Sequence, residues 1–362
     1  MRIMLAISSL GAGGAERVMT ILAGAFARRG HEVWLVTLGQ SGADFYTVEP
    51  RVRRIALGIM GESPNKLRAL WANLRRLRAF RRVISTIEPQ ALLSFMTSMN
   101  VLAILACVRL PVRVVISERV DPVAHQENRI WATLRSLVYR RADTVVVQTE
   151  KIAEWFRAKS WKRVRIIVIP NPVVPPPDEA TSLEQPGPFL LAAGRLTHQK
   201  GFDLLIRAFA EATTRPRELR LVIAGEGPET QPLCDLASEL GLAAQVTLPG
   251  RVRNLSALMR AALAFVLPSR YEGFPNVLLE ALAAGVPCVA ADAPGGTREI
   301  LGDGAYGLLV PPGDSQALAE AITLIATDAE LRQRLSTAAT AAIERYDLDR
   351  VVNQWERELA GA

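Results

Sequence analysis

Short runs of β-branched and apolar residues alternate with segments of helical periodicity along almost the whole chain. The first series of runs begins with residues 2–7 and ends with residues 164–169. A second series begins with residues 189–193 and ends with residues 286–290. Strands that alternate with helices form parallel sheets with helices on both faces. The sequence therefore predicts an α/β protein with two Rossmann-like units in tandem.

A proline-rich stretch separates the two series. Residues 170–188 contain seven prolines, a composition that continues neither a strand nor a helix and is stiff as a connector. We therefore expect an N-terminal domain at 1–169, a linker at 170–188 and a C-terminal domain at 189–345. The helix predicted in residues 346–362 is expected to return to the N-terminal domain.

The cysteines and the apolar segments bear on the compartment. Cys107, Cys234 and Cys288 are far apart and lack metal-site spacing, which favours neither disulfides nor a zinc site. The longest uncharged stretch, residues 91–108, is interrupted by Ser, Thr and Asn, whereas a spanning helix needs about 20 apolar residues. We expect a reduced, cytoplasmic protein without a signal peptide or a transmembrane segment.

Charge is divided unequally between the halves of this chain. The net charge is +7, yet residues 1–180 hold 27 Lys and Arg against 14 Asp and Glu, while residues 181–362 hold 16 against 22. The first half is therefore suited to an anionic surface. A nucleic-acid partner is not expected, because the chain lacks interleaved aromatic residues and a reading-helix motif. A membrane surface remains open.

The first motif, Gly-Ala-Gly-Gly-Ala-Glu at residues 11–16, follows the first strand and opens a helix. Backbone amides and the helix dipole attract phosphate at such a place. A dinucleotide fingerprint would need a third glycine where Glu16 stands and an acid after the second strand, where Gly39 and Gln40 stand. An NAD site is therefore disfavoured. The alternative is a turn that needs glycine only for its backbone angles.

The second motif, Gly-Arg-Leu-Thr-His-Gln-Lys-Gly at residues 194–201, lies between the first strand and the first helix of the second domain. Arg195 and Lys200 follow the carboxyl end of a strand, where open α/β sheets bind ligands. An arginine fork and a lysine point charge together suit a diphosphate. The alternative is an ordinary basic surface loop.

The third motif is the most specific, with Ser-Arg-Tyr-Glu-Gly-Phe-Pro-Asn-Val-Leu-Leu-Glu at residues 269–280. Gly273 lets the backbone approach a ligand, and Pro275 suits the first turn of a helix. Glu272 precedes this helix start and Glu280 lies about one turn inside it. The two carboxylates can hold sugar hydroxyls while the helix amides hold phosphate.

With these three motifs in order, the chain resembles the retaining glycosyltransferases of family 4 over essentially its whole length. This resemblance implies the GT-B fold, in which two Rossmann-like domains face each other across a cleft, here with a C-terminal helical tail. Within the family the chain is most similar to bacterial hexosyl- and N-acetylgalactosaminyltransferases that extend lipid-linked oligosaccharides. The implied reaction transfers a hexose or N-acetylhexosamine from a nucleotide sugar, preferably UDP-linked, to a polyprenyl-diphosphate-linked saccharide.

The resemblance also implies roles for particular residues. Arg195 and Lys200 would neutralise the departing diphosphate, Glu272 would contact the donor sugar, and Glu280 would hold the ribose. The catalytic candidates are Arg195, Lys200 and Glu272. The implied donor-binding residues are Gly13, Gly14, Gly194, Arg195, Lys200, Gly250, Val252, Glu272, Gly273, Phe274, Pro275, Asn276, Val277, Leu278 and Glu280.

The chain departs from the family pattern after the predicted fourth strand of the first domain. Relatives often have Ser-Glu-His where this chain has Ser117, Glu118 and Arg119. Arginine stays cationic and only donates hydrogen bonds, so a proton-carrier role does not transfer to it. We expect Glu118 and Arg119 at the acceptor side of the active site, with a structural ion pair as the alternative.

No metal and no cofactor is expected, because two cationic side chains and a helix start replace a metal. The single Asp-X-Asp sequence, residues 347–349, stands at the head of the last helix, where helix capping is the better interpretation.

The acceptor side is predicted from a basic amphipathic helix in residues 64–84. Its apolar residues have helical spacing and no acid lies among them. Such a helix can bind an anionic bilayer surface, which predicts peripheral association with the inner face of the plasma membrane. The alternative is a core-packed helix with a solvated basic face. The apolar set is Leu67, Leu70, Trp71, Leu74, Leu77 and Ile84, and the basic set is Lys66, Arg68, Arg75, Arg76, Arg78, Arg81 and Arg82.

Other functions are compatible with parts of this pattern. A sugar-nucleotide epimerase of the same GT-B architecture would need no acceptor, and a mannosyltransferase would use GDP-mannose. A non-catalytic protein that binds nucleic acid or membrane would bind with strong salt dependence but without affinity for nucleotide sugars.

Overall fold

The computed structural model describes residues 1–61, 66–119, 129–159, 161, 164–174, 187–212, 216, 218–252 and 254–361, without the side chains of residues 43, 66–70 and 129. The chain forms two compact units. Met1–Pro172 and Asp349–Ala362 make up the first unit, and Val173–Leu348 make up the second. Each unit is built around one parallel sheet, as the alternating sequence pattern predicts. Residues 175–186 of the expected linker lie outside the described part.

The first unit contains one parallel sheet flanked by helices. Its strands are β1 (Arg2–Ile7), β2 (Glu32–Thr37), β3 (Arg53–Ala56), β4 (Ala91–Phe95), β5 (Arg113–Ser117), β6 (Thr144–Val147) and β7 (Arg165–Val168). Its helices are α1 (Gly14–Arg28), α2 (Lys66–Ile87), α3 (Thr97–Cys107), α4 (Arg129–Val138) and α5 (Glu150–Arg157). The strand order in the described residues is β3-β2-β1-β4-β5-β6-β7. Leu5 and Leu93 of the central strands are fully buried, because helices cover both faces of such a sheet.

The second unit repeats this construction. Its strands are β8 (Phe189–Ala193), β9 (Arg220–Ala224), β10 (Val246–Thr247), β11 (Ala264–Leu267), β12 (Cys288–Ala291) and β13 (Leu308–Val310). Its helices are α6 (Phe202–Glu211), α7 (Thr230–Glu239), α8 (Leu255–Ala261), α9 (Asn276–Ala283), α10 (Thr297–Ile300), α11 (Ser315–Thr327) and α12 (Ala329–Ile343). Within the described ranges the strand order is β10-β9-β8-β11-β12-β13.

In each sheet the strand order reverses at one point, between β1 and β4 and between β8 and β11. The loops that leave two such strands diverge, and the crevice at their carboxyl ends is where open α/β sheets bind ligands. Residues 194–201 follow β8, and residues 268–275 follow β11. Two of the three predicted motifs therefore lie at the reversal point of the second sheet. The first motif, residues 11–16, follows β1 and lies at the reversal point of the first sheet.

The structure adds to and corrects the sequence-based assignment of elements. The edge strands β3 and β13 were not predicted, because both are short and only partly buried. The helix α3 begins at Thr97. It follows Met96, whose φ of 76° is rare for a residue other than glycine.

The last helix, α13 (Leu348–Ala360), packs within the first unit. Arg29 binds Asp349 at 2.6 Å and Glu356 at 2.8 Å, and Trp355 is fully buried. His31 Nε2 lies 2.9 Å from Glu356 Oε1. The second aspartate of the 347–349 sequence therefore forms an ion pair with α1.

Candidate active site

The loop between β8 and α6 carries the two predicted cations. Arg195 is exposed and Lys200 is half-buried. In the described part of the chain, no residue forms an ion pair or hydrogen bond with the Arg195 guanidinium. A short turn at His198–Lys200 and Gly201, with φ of 65°, lead into α6. The Arg195 side chain is thus available to a ligand.

Close backbone contacts fix the position of this loop. A Cβ on Gly225, which has φ of 148°, would collide with the carbonyl oxygen of Gly194. A Cβ on Gly227 would collide with the carbonyl group of Leu196, whose amide donates to the Glu226 carbonyl at 2.9 Å. Neither glycine was predicted to belong to the site, although both lie directly after the apolar run that forms β9.

Lys200 and Glu272 are 72 residues apart in sequence but form an ion pair in the second unit. Lys200 Nζ donates to Glu272 Oε1 at 2.6 Å, and Ser269 Oγ donates to the same oxygen at 2.6 Å. The exposed fraction is 17% for the Lys200 side chain and 6% for the Glu272 side chain. A pair this buried is screened by salt much less than a surface pair. The fold thus joins the lysine predicted to bind the diphosphate to the glutamate predicted to contact the donor sugar.

The start of α9 lies directly after the turn at residues 272–275. Pro275 is the residue before the helix, and the first amides of a helix have no acceptor within it, so that they favour anions. Phe274 is 8% exposed and its ring centroid lies 5.9 Å from that of Tyr346. Leu278 is fully buried. The side chains of Phe274 and Leu278 belong to the core, and the Leu278 amide donates to the Pro275 carbonyl at 3.0 Å. Their predicted backbone contacts with the donor stay a prediction.

The other predicted residues of this motif are partly accessible. Glu280 lies in the second turn of α9 and is half-buried. Gly273, Asn276 and Val277 are half-buried as well. The predicted ribose ligand and the predicted phosphate-binding backbone are therefore on one short element and retain exposed surface.

The loop after β12 supports the turn that carries Glu272. The Glu272 amide donates to the Pro294 carbonyl at 3.0 Å, and the Gly296 amide donates to the Gly273 carbonyl at 3.0 Å. A Cβ on Gly295 would collide with the Glu272 carbonyl oxygen. This supporting loop was missed in the sequence, although its Gly-Gly pair follows a predicted strand. It holds the Glu272 backbone in one place.

The predicted donor-binding residues Gly250 and Val252 follow β10. The Gly250 carbonyl accepts from the Gly225 amide at 2.8 Å, and Val252 packs against the core. Arg251 Nε lies 2.9 Å from Glu226 Oε2, and both side chains are more than half exposed. The stretch therefore adjoins the loop after β9, which brings Glu226 beside it. Nothing in the sequence pattern pointed to Glu226.

Arg270 lies inside the third motif but is committed to a structural pair. Its two terminal nitrogens each donate to an Asp203 oxygen at 2.7 Å. Burial acts to raise the pKa of the Asp203 carboxyl, but the hydrogen bonds and charge of Arg270 outweigh burial and lower that pKa overall. Hydrogen bonding to Asp203 raises the pKa of Arg270. This pair joins α6 to the loop after β11.

The first motif places a carboxylate at the start of α1. Gly13 precedes this helix, and a Cβ on Gly13 would collide with the carboxylate of Glu16. An acidic side chain in the first turn complements the positive end of the helix dipole. Gly14 is exposed. Its approach to the donor phosphates stays a prediction.

Glu118 is buried at the carboxyl end of β5. It is 1% exposed, and both of its oxygens accept from Thr97 Oγ1 at 3.1 Å. Tyr139 donates to Oε2 at 2.9 Å. Burial, together with the Glu118 charge, raises the pKa of Tyr139. The Glu118 carboxylate therefore links the start of α3 to Tyr139, which follows α4.

Arg119 stacks on aromatic rings. Its guanidinium carbon lies 3.5 Å from the Phe95 ring centroid and 5.9 Å from that of Trp355, and Nη1 donates to Asn171. Nε and Nη2 are buried and have no hydrogen-bond partner within the described residues. Burial lowers the pKa of this guanidinium, against the effect of the Glu118 charge. None of the described carboxylates forms an ion pair with Arg119. Residues 120–128, including His125, lie outside the described part.

The helix α2 buries one face and exposes another. Phe80 and Ile84 are fully buried, whereas Trp71, predicted on the apolar face, is 68% exposed. Trp71 lies on the same helical stripe as three exposed arginines, since their spacings are three and four residues. The stripe consists of Trp71, Arg75, Arg78 and Arg82. The predicted Leu67 and Leu70 have side chains outside the described part.

No group of three or more His, Cys, Asp or Glu side chains in the described part is placed to hold a metal ion. In the same residues, no helix combines the length and the apolar character that crossing a bilayer requires.

Two family models cover nearly all of the chain. Residues 13–172 match a glycosyl transferase 4-like domain, and residues 178–342 match the glycosyl transferases group 1. The chain is a group 1 glycosyltransferase. It therefore transfers a glycosyl group, and the resemblance to glycosyltransferases found from its motifs is confirmed.

Two curated relatives from Campylobacter jejuni match over full length. One is an α-1,4-N-acetyl-D-galactosaminyltransferase whose name gives a diphospho-undecaprenol-linked saccharide as substrate; it is 28% identical over 99% of this chain and 98% of its own. The other is an N-acetylgalactosamine-N,N'-diacetylbacillosaminyl-diphospho-undecaprenol 4-α-N-acetylgalactosaminyltransferase, 28% identical over 98% of both chains.

Solved structures confirm the fold. A sucrose-phosphate synthase from Thermosynechococcus elongatus superimposes with a TM-score of 0.86 at 22% identity over the whole of both chains. The Anabaena protein HepE, solved in complex with UDP, gives a TM-score of 0.80 at 20% identity, again over both whole chains. The predicted GT-B fold class is thereby confirmed.

Proposed function

We propose that this glycosyltransferase moves a hexose or N-acetylhexosamine from a nucleoside diphosphate sugar to a polyprenyl-diphosphate-linked saccharide, with retention and without a metal ion. The observation that carries the proposal is the grouping of Lys200, Glu272 and the start of α9 at the reversal point between β8 and β11. This is where a doubly wound sheet binds nucleotides.

The donor diphosphate is assigned to the second unit. Arg195 is exposed and has no partner among the described residues, while Lys200 and the amides at the start of α9 supply further positive potential. As the bond to the sugar breaks, negative charge grows on the diphosphate. Groups that stabilise this charge more in the transition state than in the ground state accelerate the reaction.

Metal independence is proposed on the same arrangement. Many transferases of phosphorylated donors use a divalent cation to neutralise the leaving diphosphate. Here a lysine, an arginine and a helix start provide that charge, so we assign the role to these groups. Retention is proposed on the family resemblance.

The donor sugar and nucleoside are assigned to neighbouring groups. Glu272 Oε2 accepts no hydrogen bond from the described residues, so it can accept one from a sugar hydroxyl. Glu280 would hold the ribose, and the backbone of residues 250–252 would contact the base. UDP is the preferred nucleotide, a preference supported by the structural likeness to HepE, which was solved with UDP.

The acceptor side is assigned to the first unit. The two full-length relatives act, by their names, on diphospho-undecaprenol-linked saccharides. Trp71, Arg75, Arg78 and Arg82 form an exposed stripe on α2, which combines an interfacial aromatic residue with cations for lipid phosphates. Peripheral binding to an anionic membrane would bring the enzyme to such an acceptor.

Thermal unfolding with a panel of UDP- and GDP-linked sugars tests the proposal first, because a ligand that binds only the native state raises its apparent stability. We expect one nucleotide class to raise the Tm. Transfer from that donor to a synthetic polyprenyl-diphosphate saccharide should persist in EDTA, and NMR of the product should show a retained anomer. Absence of any Tm shift would overturn the nucleotide-sugar donor. Loss of turnover in EDTA would overturn metal independence, and an inverted anomer would overturn retention.

Glu280→Ala tests the ribose assignment. We expect it to lower affinity for the nucleotide and transfer together, since the ribose is contacted in ground state and transition state alike. Glu239→Ala, a change at an exposed glutamate on α7, serves as the control. Equal activity of both variants would remove Glu280 from the site.

A further inference from the structure

Lys200 and Glu272 form a largely buried ion pair in the second unit. The shared oxygen Oε1 receives both the lysine and the Ser269 hydroxyl at 2.6 Å. The Lys200 stem is also held, since a Cβ on Gly194 would lie 3.3 Å from Lys200 Cε. The described residues offer the Lys200 ammonium no acceptor other than Glu272. Glu272 is therefore the resident counter-ion of the cation assigned to the diphosphate.

The two oxygens of Glu272 have different surroundings. Oε1 has two donors, whereas none of the described residues donates to Oε2. The backbone of Glu272 is fixed by the loop after β12, through its amide and through the close approach of Gly295. The fixed backbone and the hydrogen bond from Ser269 to Oε1 keep the carboxylate beside Lys200, so an anion that reaches Lys200 also meets Glu272.

We propose that Glu272 distinguishes the intact donor from the diphosphate product and promotes release of the product. This inference rests on the proposed function, since it assumes that the diphosphate binds at Lys200. An arriving diphosphate competes with Glu272 for the same ammonium and is repelled by the carboxylate.

The difference between donor and product lies in the sugar. An intact nucleotide sugar offers Oε2 a hydroxyl donor, and a hydrogen bond to a charged acceptor offsets part of the repulsion. The free nucleoside diphosphate carries more negative charge and offers no such donor. The same carboxylate therefore disfavours the product more than the donor.

Isothermal titration of Glu272→Gln and the wild type tests this, with UDP and GDP as product probes and UDP-N-acetylgalactosamine and GDP-mannose as donor probes, without acceptor. Gln has the same shape but no charge. We expect the variant to bind the nucleoside diphosphate about tenfold more tightly, and the nucleotide sugar no more tightly than the wild type does. Product affinity that is unchanged or weaker would overturn the inference.

Asp203→Asn is the matched control for a general charge effect. It removes one negative charge from the start of α6, but Asp203 pairs with Arg270 rather than with Lys200. We expect its affinity for the nucleoside diphosphate to stay within about twofold of the wild type, as for a screened surface charge. Tightening equal to that of Glu272→Gln would contradict the local role of Glu272.

Two further variants remove ambiguity. Glu272→Ala is a second neutral replacement for the case in which Gln disturbs the turn, and it should also tighten product binding. In a Lys200→Met background the gain from Glu272→Gln should shrink, because the competition needs the ammonium; a gain of full size there would refute the competition.

Failure of this inference can be told from failure of the proposed function. If UDP or GDP binds the wild type but Glu272→Gln binds it no better, the inference is wrong and the nucleotide site stands. If neither nucleotide binds either form, the nucleotide site itself is wrong. If the binding pattern holds but no sugar reaches a lipid-linked acceptor, only the proposed reaction is wrong.

Discussion

The carboxyl ends of the two sheets use charge in opposite ways. In the first unit, Glu118 is buried with its oxygens bonded to Thr97 and Tyr139, and Arg119 is stacked on Phe95. In the second unit, Arg195 stays exposed without a partner among the described residues. The first edge buries its charged groups, and two nitrogens of Arg119 have no hydrogen-bond partner among the described residues. The second edge pairs Lys200 with Glu272 and keeps Arg195 exposed for a ligand. A shared fold does not by itself say where the anion binds; the side chains at each edge do.

The largest effect is expected from a substitution at the carboxyl edge of the second sheet, where the diphosphate is assigned. Lys200→Ala should lower kcat/KM for transfer about a thousandfold, because one preorganised donor to the developing charge is lost. The variant should remain folded, as checked by circular dichroism and thermal unfolding. Lys151→Ala, at an exposed lysine of α5, should keep wild-type activity. Normal turnover by Lys200→Ala would place the diphosphate elsewhere.

The next largest effect concerns the exposed arginines of α2 in the first unit, which we expect to bind an anionic membrane surface. Replacement of Arg75, Arg78 and Arg82 by Gln should weaken binding to anionic vesicles about a hundredfold, at about 1 kcal/mol per charge. Co-sedimentation with vesicles containing phosphatidylglycerol measures this. Gln at Arg207, Arg260 and Arg334, exposed arginines of the second unit, removes equal charge and should leave binding nearly unchanged. Equal losses in both variants would point to net charge alone.

Arg119→Met sharpens the comparison within the first unit. A buried guanidinium with two unbonded nitrogens carries a desolvation cost, so an apolar replacement should leave the free energy of unfolding unchanged or raise it by about 1 kcal/mol. Transfer should fall about tenfold if Arg119 serves the reaction. Urea unfolding and initial rates measure the two effects. A loss above about 2 kcal/mol with undiminished rates would make Arg119 purely structural.

The smallest effect concerns the Asp203–Arg270 pair. Since the pKa of Asp203 is lowered in the folded state, its stabilisation is present above the unfolded pKa and disappears as pH falls through the folded pKa. Between about pH 5 and 8, the free energy of unfolding should be about 0.5 kcal/mol higher for the wild type than for Asp203→Asn, a value that allows for solvent screening. The difference should shrink as the pH falls below about 4 and vanish below the folded pKa. Urea unfolding across pH measures it, and a difference that grows in acid would contradict the assignment.

The sequence carried most of the fold because hydrophobic alternation is a local signal. The predicted runs at residues 2–7, 189–193 and 286–290 correspond to β1, β8 and β12, since a strand buried on both faces needs an unbroken apolar run. The edge strand β3 was missed because two of its four residues are Arg53 and Arg54. The edge strand β13 has only three residues.

The site was predictable only where its residues are adjacent in the chain. Gly-rich turns and the cations after β8 follow from local pattern. The pairing of Lys200 with Glu272 does not, because 72 residues separate them and sequence pattern carries no distance between loops. The collision of a side chain at Gly225 or Gly295 likewise depends on tertiary approach. For Arg119 the alternative prediction was a structural ion pair, but none of the described carboxylates forms one, and the guanidinium lies against Phe95 of β4 and Trp355 of α13.

A crystal structure with the bound nucleoside diphosphate tests the central claim most directly. The account predicts phosphate oxygens within about 3 Å of Lys200 Nζ and of the Arg195 guanidinium, with the start of α9 beneath them and no metal ion between. A diphosphate bound away from residues 195 and 200, or one that reaches the protein through a metal ion, would contradict it.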